Sequence, residues 1–435
     1  MGRTSAAQHQ APKDQGNLFA GSSEAANSSE HFSLSAGHIC RTIKRRDGSV
    51  ATSLVDIVGK SQLSGDLAAD FDISWLKTQQ PPPHVSSRGT VVIADLFAGC
   101  GAMSAGVREA CRALELSSRS ALAVESDAEK LRVYGLNFPE AMTIDQPIET
   151  LIDGDLGSAP TVAEMALLEK IEKIDILIGG PPCQGHSDLN NFTRRSDPRN
   201  ALIIRFARAV ELFRPAHLII ENVQGIRHDR KGSLHSVEKH LRELGYQVDQ
   251  ALIECSALGV PQRRRRFFMV GSRTRQIEIA KLVQRNTVSA GRTLRWACED
   301  LLELGSDSPF DTAAVHSIVN QNRIKYLFEH SLFDLPDEVR PDCHRLKIHA
   351  YRSVYGRLRW DEPAPTITTG FGSTGQGRFV HPLKPRTLTP HEAARLQLIP
   401  DFFSFGATAR TQLQKMIGNA VPPKVPYFLA LELLR

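Results

Sequence analysis

Residues 179–187 read GGPPCQGHS and follow the apolar run IDILI directly. Pro181 and Pro182 fix the backbone just ahead of Cys183, so the thiol is held at a strand end and not on a loose side loop. A lone cysteine is more often a small core residue, and Cys111 and Cys255 fit that description. Cys183 differs from them because it lies between rigid prolines and a polar, glycine-containing loop, which marks it as a nucleophile. A second apolar run, HLIIEN, ends in Glu221 and Asn222. A carboxylate at the end of such a run is costly unless it has a partner or a task. Further on, GVPQRRRRFF contains four consecutive arginines. In an extended chain Gln262, Arg264 and Arg266 share one face while Arg263 and Arg265 take the other. One face can enter a site and the other can meet phosphate.

The run VVIADLF leads into GCGAMSAG, where Gly99, Gly101 and Gly106 allow a tight turn and close approach to a ligand. A nucleotide-like cofactor suits such a turn, although nicotinamide and flavin groups would suit it as well. Glu125 ends the next run, about twenty-five residues on, where a carboxylate can accept hydrogen bonds from both hydroxyls of a ribose. Asp145 ends the third. It fits a helix cap or turn as well as an acceptor for an adenine amino group.

These residues need a frame. After Arg88 the chain alternates short apolar runs (VVIADLF, ALAVES, MTID, IDILIGG, HLIIEN, YQVDQALIE, RFFMVGS) with stretches of helical period (VAEMALLEKIEK, ALIIRFARAVELF, LHSVEKHLRELG). That pattern predicts an α/β fold with a doubly wound, Rossmann-like sheet whose strand ends carry the site. The expected organisation is a disordered tail over 1–36, a small helical appendage and linker over 37–87, and a catalytic and cofactor-binding domain over 88–272. A smaller, irregular domain is expected over 273–410, and a segment over 411–435 that returns to the catalytic domain. Residues 1 to 80 are composed like a tether and are expected to be dispensable for folding.

Composition bounds the function classes. The chain has 435 residues, 41% of them hydrophobic, and a formal charge of +5. The apolar runs are strand-length, well short of the roughly 18 residues of a membrane span. The polar N-terminus does not resemble a secretory signal, so a cytoplasmic, nucleoid-associated protein is expected. Seven cysteines without a C-x-x-C pair argue against a disulfide framework and against a metal site. Clustered arginines, and not the total charge, hint at a polyanion.

Taken in order, DLFAGCG, PPCQG, ENV, QRRRR with its Q-x-R-x-R spacing, LTPHEAARLQ and IGNAVPP resemble the motifs of the bacterial-type DNA (cytosine-5) methyltransferases. The resemblance covers about residues 88 to 435. It implies that Cys183 is the nucleophile, Glu221 the carboxylate that grips the cytosine and Arg264 a further contact to the base. It also implies S-adenosylmethionine as cofactor, held by Phe97, Gly99, Gly101, Glu125, Asp145 and Asn419. Ser126 departs from the pattern, since many relatives carry a larger residue there. Candidates for contacts to substrate or DNA are Gln184, Ser187, Asn222, Gln262 and Arg266, with Arg357 and Arg378 in the smaller domain, where the family places target recognition. Arg194, Arg195 and Arg199, in the polar stretch after the cysteine, could meet phosphate. The implied partners are double-stranded DNA, bound by a monomer with the target base flipped out, and a companion restriction endonuclease; no membrane is implied. Two other readings compete: a catalytically inactive DNA-binding relative, and an RNA cytosine methyltransferase of the same fold. Intact Cys183, Glu221 and Arg264 argue against the first. The long segment between QRRRR and LTPHEAARLQ argues against the second, and assaying tRNA beside duplex DNA separates them.

Overall fold

The computed structural model describes residues 29–58, 63–83, 88–182, 202–228, 232–346 and 353–435. The N-terminal region departs from expectation. Strands β1 (His31–Ser35), β2 (His38–Lys44) and β3 (Val50–Asp56) form an antiparallel sheet, followed by helix α1 (Leu67–Lys77) capped by Asp66. The disordered tail does not extend to residue 36, and the appendage is a sheet with one helix. Alternation explains why composition misled: Ile39, Arg41 and Ile43, with Ala51, Ser53 and Val55, point inward while their neighbours, the apolar Val50 and Leu54 among them, point out. Ile43 and Leu76 belong to the main core. The module is therefore packed on the protein and is not a tether.

All seven expected runs become strands of a single sheet: β4 (Thr90–Leu96), β5 (Ser117–Glu125), β6 (Met142–Asp145), β7 (Ile176–Gly179), β8 (His217–Val223), β9 (Gln247–Glu254) and, after the short β10 (Gln262–Arg263), β11 (Arg265–Ser272). The order is β6-β5-β4-β7-β8-β11-β9. Neighbours from β6 to β8 run parallel, whereas β11 is antiparallel to both β8 and β9. Helices α2 (Ala102–Ala113), α3 (Ala128–Asn137), α4 (Val162–Leu168), α5 (Leu202–Phe213) and α6 (Ser233–Glu243) make the crossovers. The central strands β4 and β7, covered by helices, are mostly apolar, as burial on both faces requires, while the edge strand β6 alternates and is partly exposed.

The remainder is irregular: α7 (Ile279–Arg285), α8 (Leu294–Cys298), α9 (Ile318–Glu329), α10 (Asp342–Arg345), β12 (Ala364–Pro365), α11 (Pro390–Leu396), α12 (Arg410–Asn419) and α13 (Lys424–Leu434). The change of texture near residue 273 does not coincide with a change of core. Ile277, Ile279 and Leu282 pack with the sheet, while Leu294, Trp360, Phe371 and Leu396 share a cluster with Ala102 and Tyr134. Only Ile324, Leu327, Leu335, Val354, Tyr355 and Val380 form a separate small cluster. Helix α13 lies on α2 so closely that a Cβ at Gly106 would fall 2.2 Å from the Pro423 carbonyl oxygen.

Candidate active site

The winding reverses at β4: β5 and β6 extend the sheet on one side, β7 and β8 on the other. Loops leaving the carboxyl ends of β4 and β7 therefore diverge and open a crevice, the place where open α/β sheets bind ligands. A cavity of about 930 Å³ lies there, and Phe97, Gly99, Glu125, Glu221, Asn222, Arg264, Arg266 and Asn419 all line it.

On the β4 side the backbone turns sharply, with φ of +59° at Phe97 and +56° at Gly99. That turn carries the Gly99 N–H to within 3.0 Å of Glu125 Oε2, and the Asp127 N–H reaches Oε1 at 3.1 Å. Lys130 Nζ stands 3.4 Å from Oε1. Glu125 is thus fixed with acceptor capacity left for a ligand. Strand register pairs Glu125 with Asp145, but Asp145 is exposed and its successors Gln146, Pro147 and Ile148 line the cavity instead. Gly101 is also not in the wall; a Cβ there would meet Phe138 at 2.6 Å, so this glycine serves packing.

On the β7 side Gly180, Pro181 and Pro182 form the wall. Asn222 is buried and donates from Nδ2 to the Pro181 carbonyl oxygen at 3.0 Å, while its Oδ1 accepts from the Val223 N–H at 2.8 Å. It holds the proline loop in place with one of its two amide N–H donors. Glu221 sits beside it, with Arg266 Nε 3.1 Å from Oε1. Burial raises the Glu221 pKa, and the pull of Arg266 and Arg264 only partly offsets this. Cys183, Gln184, Ser187, Arg194, Arg195 and Arg199 lie outside the described residues.

A glycine turn tied to a carboxylate and a desolvated acid beside an arginine thus share one cavity, and comparison with known proteins gives this arrangement its family. The family model for the C-5 cytosine-specific DNA methylases matches residues 91–435. The chain belongs to that family. Among curated relatives, the Type II methyltransferase M1.BsuMI of Bacillus subtilis is 49% identical over 409 residues, spanning 93% of this chain and 95% of its own. The Type II methyltransferase M.DdeI of Desulfomicrobium norvegicum is 30% identical and is covered over 87% of its length. The solved structure of S. pombe Dnmt2 methyltransferase superposes with a TM-score of 0.56 over 79% of this chain and 98% of its own, at 17% identity, a likeness of fold.

The methylase's remaining expected site residues divide sharply. Gln262 is fully buried; its Nε2 donates to the Leu396 carbonyl and to Gln397 Oε1, and its Oε1 accepts from the Ile367 N–H at 2.7 Å. It cannot reach DNA in this structure. Arg264 lines the cavity, but Nη1 is committed to the Ile367 carbonyl at 2.9 Å and Nη2 to those of Gly418 and Ala420. The arginine that touches the candidate acid is Arg266. Arg263 and Arg265 are exposed, as alternation predicted. Arg357 donates to the Pro382 carbonyl and stacks on Phe328, while Arg378 pairs with Asp334 and donates to the carbonyls of Phe333 and Arg357. Both arginines thus brace the irregular region with part of their guanidinium donors.

Asp95 was missed. It lines the cavity, is 1% exposed and accepts from Ser104 Oγ at 2.7 Å, and burial raises its pKa well above the usual carboxylate range. The signal was present in VVIADLF, because a charge near the end of an apolar run is the same cue that singled out Glu221.

Proposed function

We propose that this cytosine-5 DNA methyltransferase uses S-adenosylmethionine and attacks a cytosine extruded from duplex DNA through a covalent Cys183 bond. The observation that carries this reading is Glu221, a desolvated carboxyl with a raised pKa, placed in the same cavity as the Glu125 turn and the prolines preceding Cys183. The residues present fit the cofactor. The cavity volume falls in the range of ligand sites, and Glu125 presents a fixed carboxylate where ribose hydroxyls would lie. S-adenosylmethionine supplies, when bound, the methyl group that is transferred.

Carbon 5 of cytosine is a weak nucleophile. Addition of the Cys183 thiolate to carbon 6 breaks the ring's 5,6 double bond and places its electron pair on the ring, where carbon 5 becomes reactive. Glu221, in its protonated form, shares its proton with ring nitrogen N3 and so relieves the charge that develops during addition. Loss of the carbon 5 proton then restores the double bond and expels the thiolate. Both ring faces must be free for this, which stacking inside duplex DNA prevents, so the base has to leave the helix. The likeness to M1.BsuMI and M.DdeI extends the proposal to DNA modification in a Type II system with a companion endonuclease.

Glu221→Gln should lower turnover by a factor on the order of 100 or more, with little change in DNA affinity. Because the reactive form is protonated, wild-type turnover should fall as pH rises through the raised Glu221 pKa, and the amide variant should lose that limb of the profile. Equal losses in turnover and DNA binding would mean that Glu221 is structural.

Sequence choice is assigned to residues from about 273 to 386, between the QRRRR and LTPHEAARLQ motifs. Arg357 and Arg378 are candidates for base contacts, and the more exposed Arg359 joins them. Exchanging this segment for that of a relative of known specificity should move the methylated site, as read by bisulfite sequencing. An active hybrid that keeps the original site would place recognition elsewhere.

A further inference from the structure

Ile367 is held from both sides by one strand. Gln262 accepts from its N–H at 2.7 Å, and Arg264, two residues on, donates to its carbonyl at 2.9 Å. The same two side chains reach the far side of the cavity mouth. Arg264 Nη2 donates to the carbonyls of Gly418 at 3.3 Å and Ala420 at 3.1 Å, which bracket Asn419. Gln262 donates to Gln397, whose own amide donates to the Ile417 carbonyl at 2.7 Å. Helix α12 ends here, so the Gly418 carbonyl belongs to its last turn and the Ala420 carbonyl lies just beyond it, where a buried cation is favoured. The two gripped segments also touch each other: a Cβ at Gly418 would lie 2.3 Å from the Thr369 N–H nitrogen. Thr369 and Asn419 both line the cavity.

We infer that Arg264 is a positioning residue that fixes Thr369 and Asn419 against each other and thereby sets the shape of the cavity on the cofactor side. Arg264 is 1% exposed, and its Nε has no partner among the described residues. Burial, followed by repulsion from Arg266, lowers its pKa to about 9. A guanidinium with no carboxylate within ion-pairing distance among the described residues is kept in such a place by its three carbonyls. Lysine would retain the charge but not the planar fork that spans two segments. This inference rests on the proposed function only in taking the cavity to hold S-adenosylmethionine.

The test uses the full-length protein and S-adenosylhomocysteine as probe, with calorimetric binding, steady-state kinetics and thermal unfolding measured on each variant. Arg264→Lys should raise the Kd for the probe about tenfold, the scale of losing one charged hydrogen bond, and should raise KM for the methyl donor in step. Gln262→Leu lies outside the cavity wall and cannot contact the ligand. It should shift the same two constants in the same direction, by a smaller factor, in protein that still unfolds cooperatively. Unchanged probe binding in both folded variants would overturn the inference. So would a loss of turnover at unchanged Kd in Arg264→Lys, which would instead make Arg264 a contact to the base. If the wild-type protein failed to bind the probe, the reading of the cavity itself would fall.

Discussion

Cys183→Ala is expected to abolish methyl transfer while leaving S-adenosylhomocysteine binding unchanged. The groups proposed to hold the cofactor leave β4 and β5, at Phe97, Gly99 and Glu125, whereas Cys183 follows β7 and the wall residue Pro182. The sulfur is the atom that bonds to carbon 6, and no described side chain offers a substitute nucleophile on that wall. DNA containing 5-fluorocytosine supplies the complementary result. Fluorine cannot leave as a proton does, so the adduct should persist through denaturing electrophoresis in the wild-type protein and be missing in the variant. An active wild-type enzyme that leaves no adduct would sink the covalent mechanism, even if Cys183→Ala were inactive.

The sequence was most legible where one physical cue dominated. The central strands are continuous apolar runs and the edge strands keep short apolar stretches, so all seven were read in place, and charges terminating two of them marked Glu125 and Glu221. Side-chain alternation along Gln262–Arg266 was also read correctly, but not what each face meets. Distinguishing an arginine that faces a ligand from one that binds three backbone carbonyls requires knowing that Ile367 and Gly418 approach residue 264, and those contacts span 103 and 154 residues. The partners of Arg357 and Arg378 inside the protein were hidden for the same reason. Local sequence shows a cation near aromatic residues, while the carbonyls and Asp334 that use its donors are set by tertiary packing. The N-terminal strands were illegible because their inward face contains Arg41 and Ser53, so hydrophobic alternation is broken by residues whose partners lie on another element.

That inward arginine carries the second large effect. Arg41 is 1% exposed; Nη2 contacts Glu109 at 2.7 Å, Nε donates to Ser53 Oγ at 3.0 Å, and the guanidinium lies over the rings of Phe71 and Tyr427. Glu30 stands 3.6 Å away and accepts from the Tyr427 hydroxyl. The N-terminal sheet is thereby tied to α2 and α13, the helices behind the cofactor turn. Removing one member of a buried ionic group leaves the others without compensation, at a cost of roughly 3–5 kcal/mol. Arg41→Ala should therefore lower unfolding stability by about that amount, and deleting the module should cost at least as much, contrary to its tether-like composition. Acid dependence gives an independent check. Burial opposes ionisation of Glu109, but Arg112 and Arg41 together pull its pKa from the ordinary 4.5 down to about 2. A depressed carboxylate pKa contributes stability that is present above the unfolded value and lost as pH falls toward the folded one. Urea unfolding of the wild type should weaken between these limits, and the Arg41→Ala curve should be flatter there, since Arg112 alone would hold Glu109. If the variant instead unfolds at the wild-type urea midpoint at neutral pH, the module does not brace the catalytic fold.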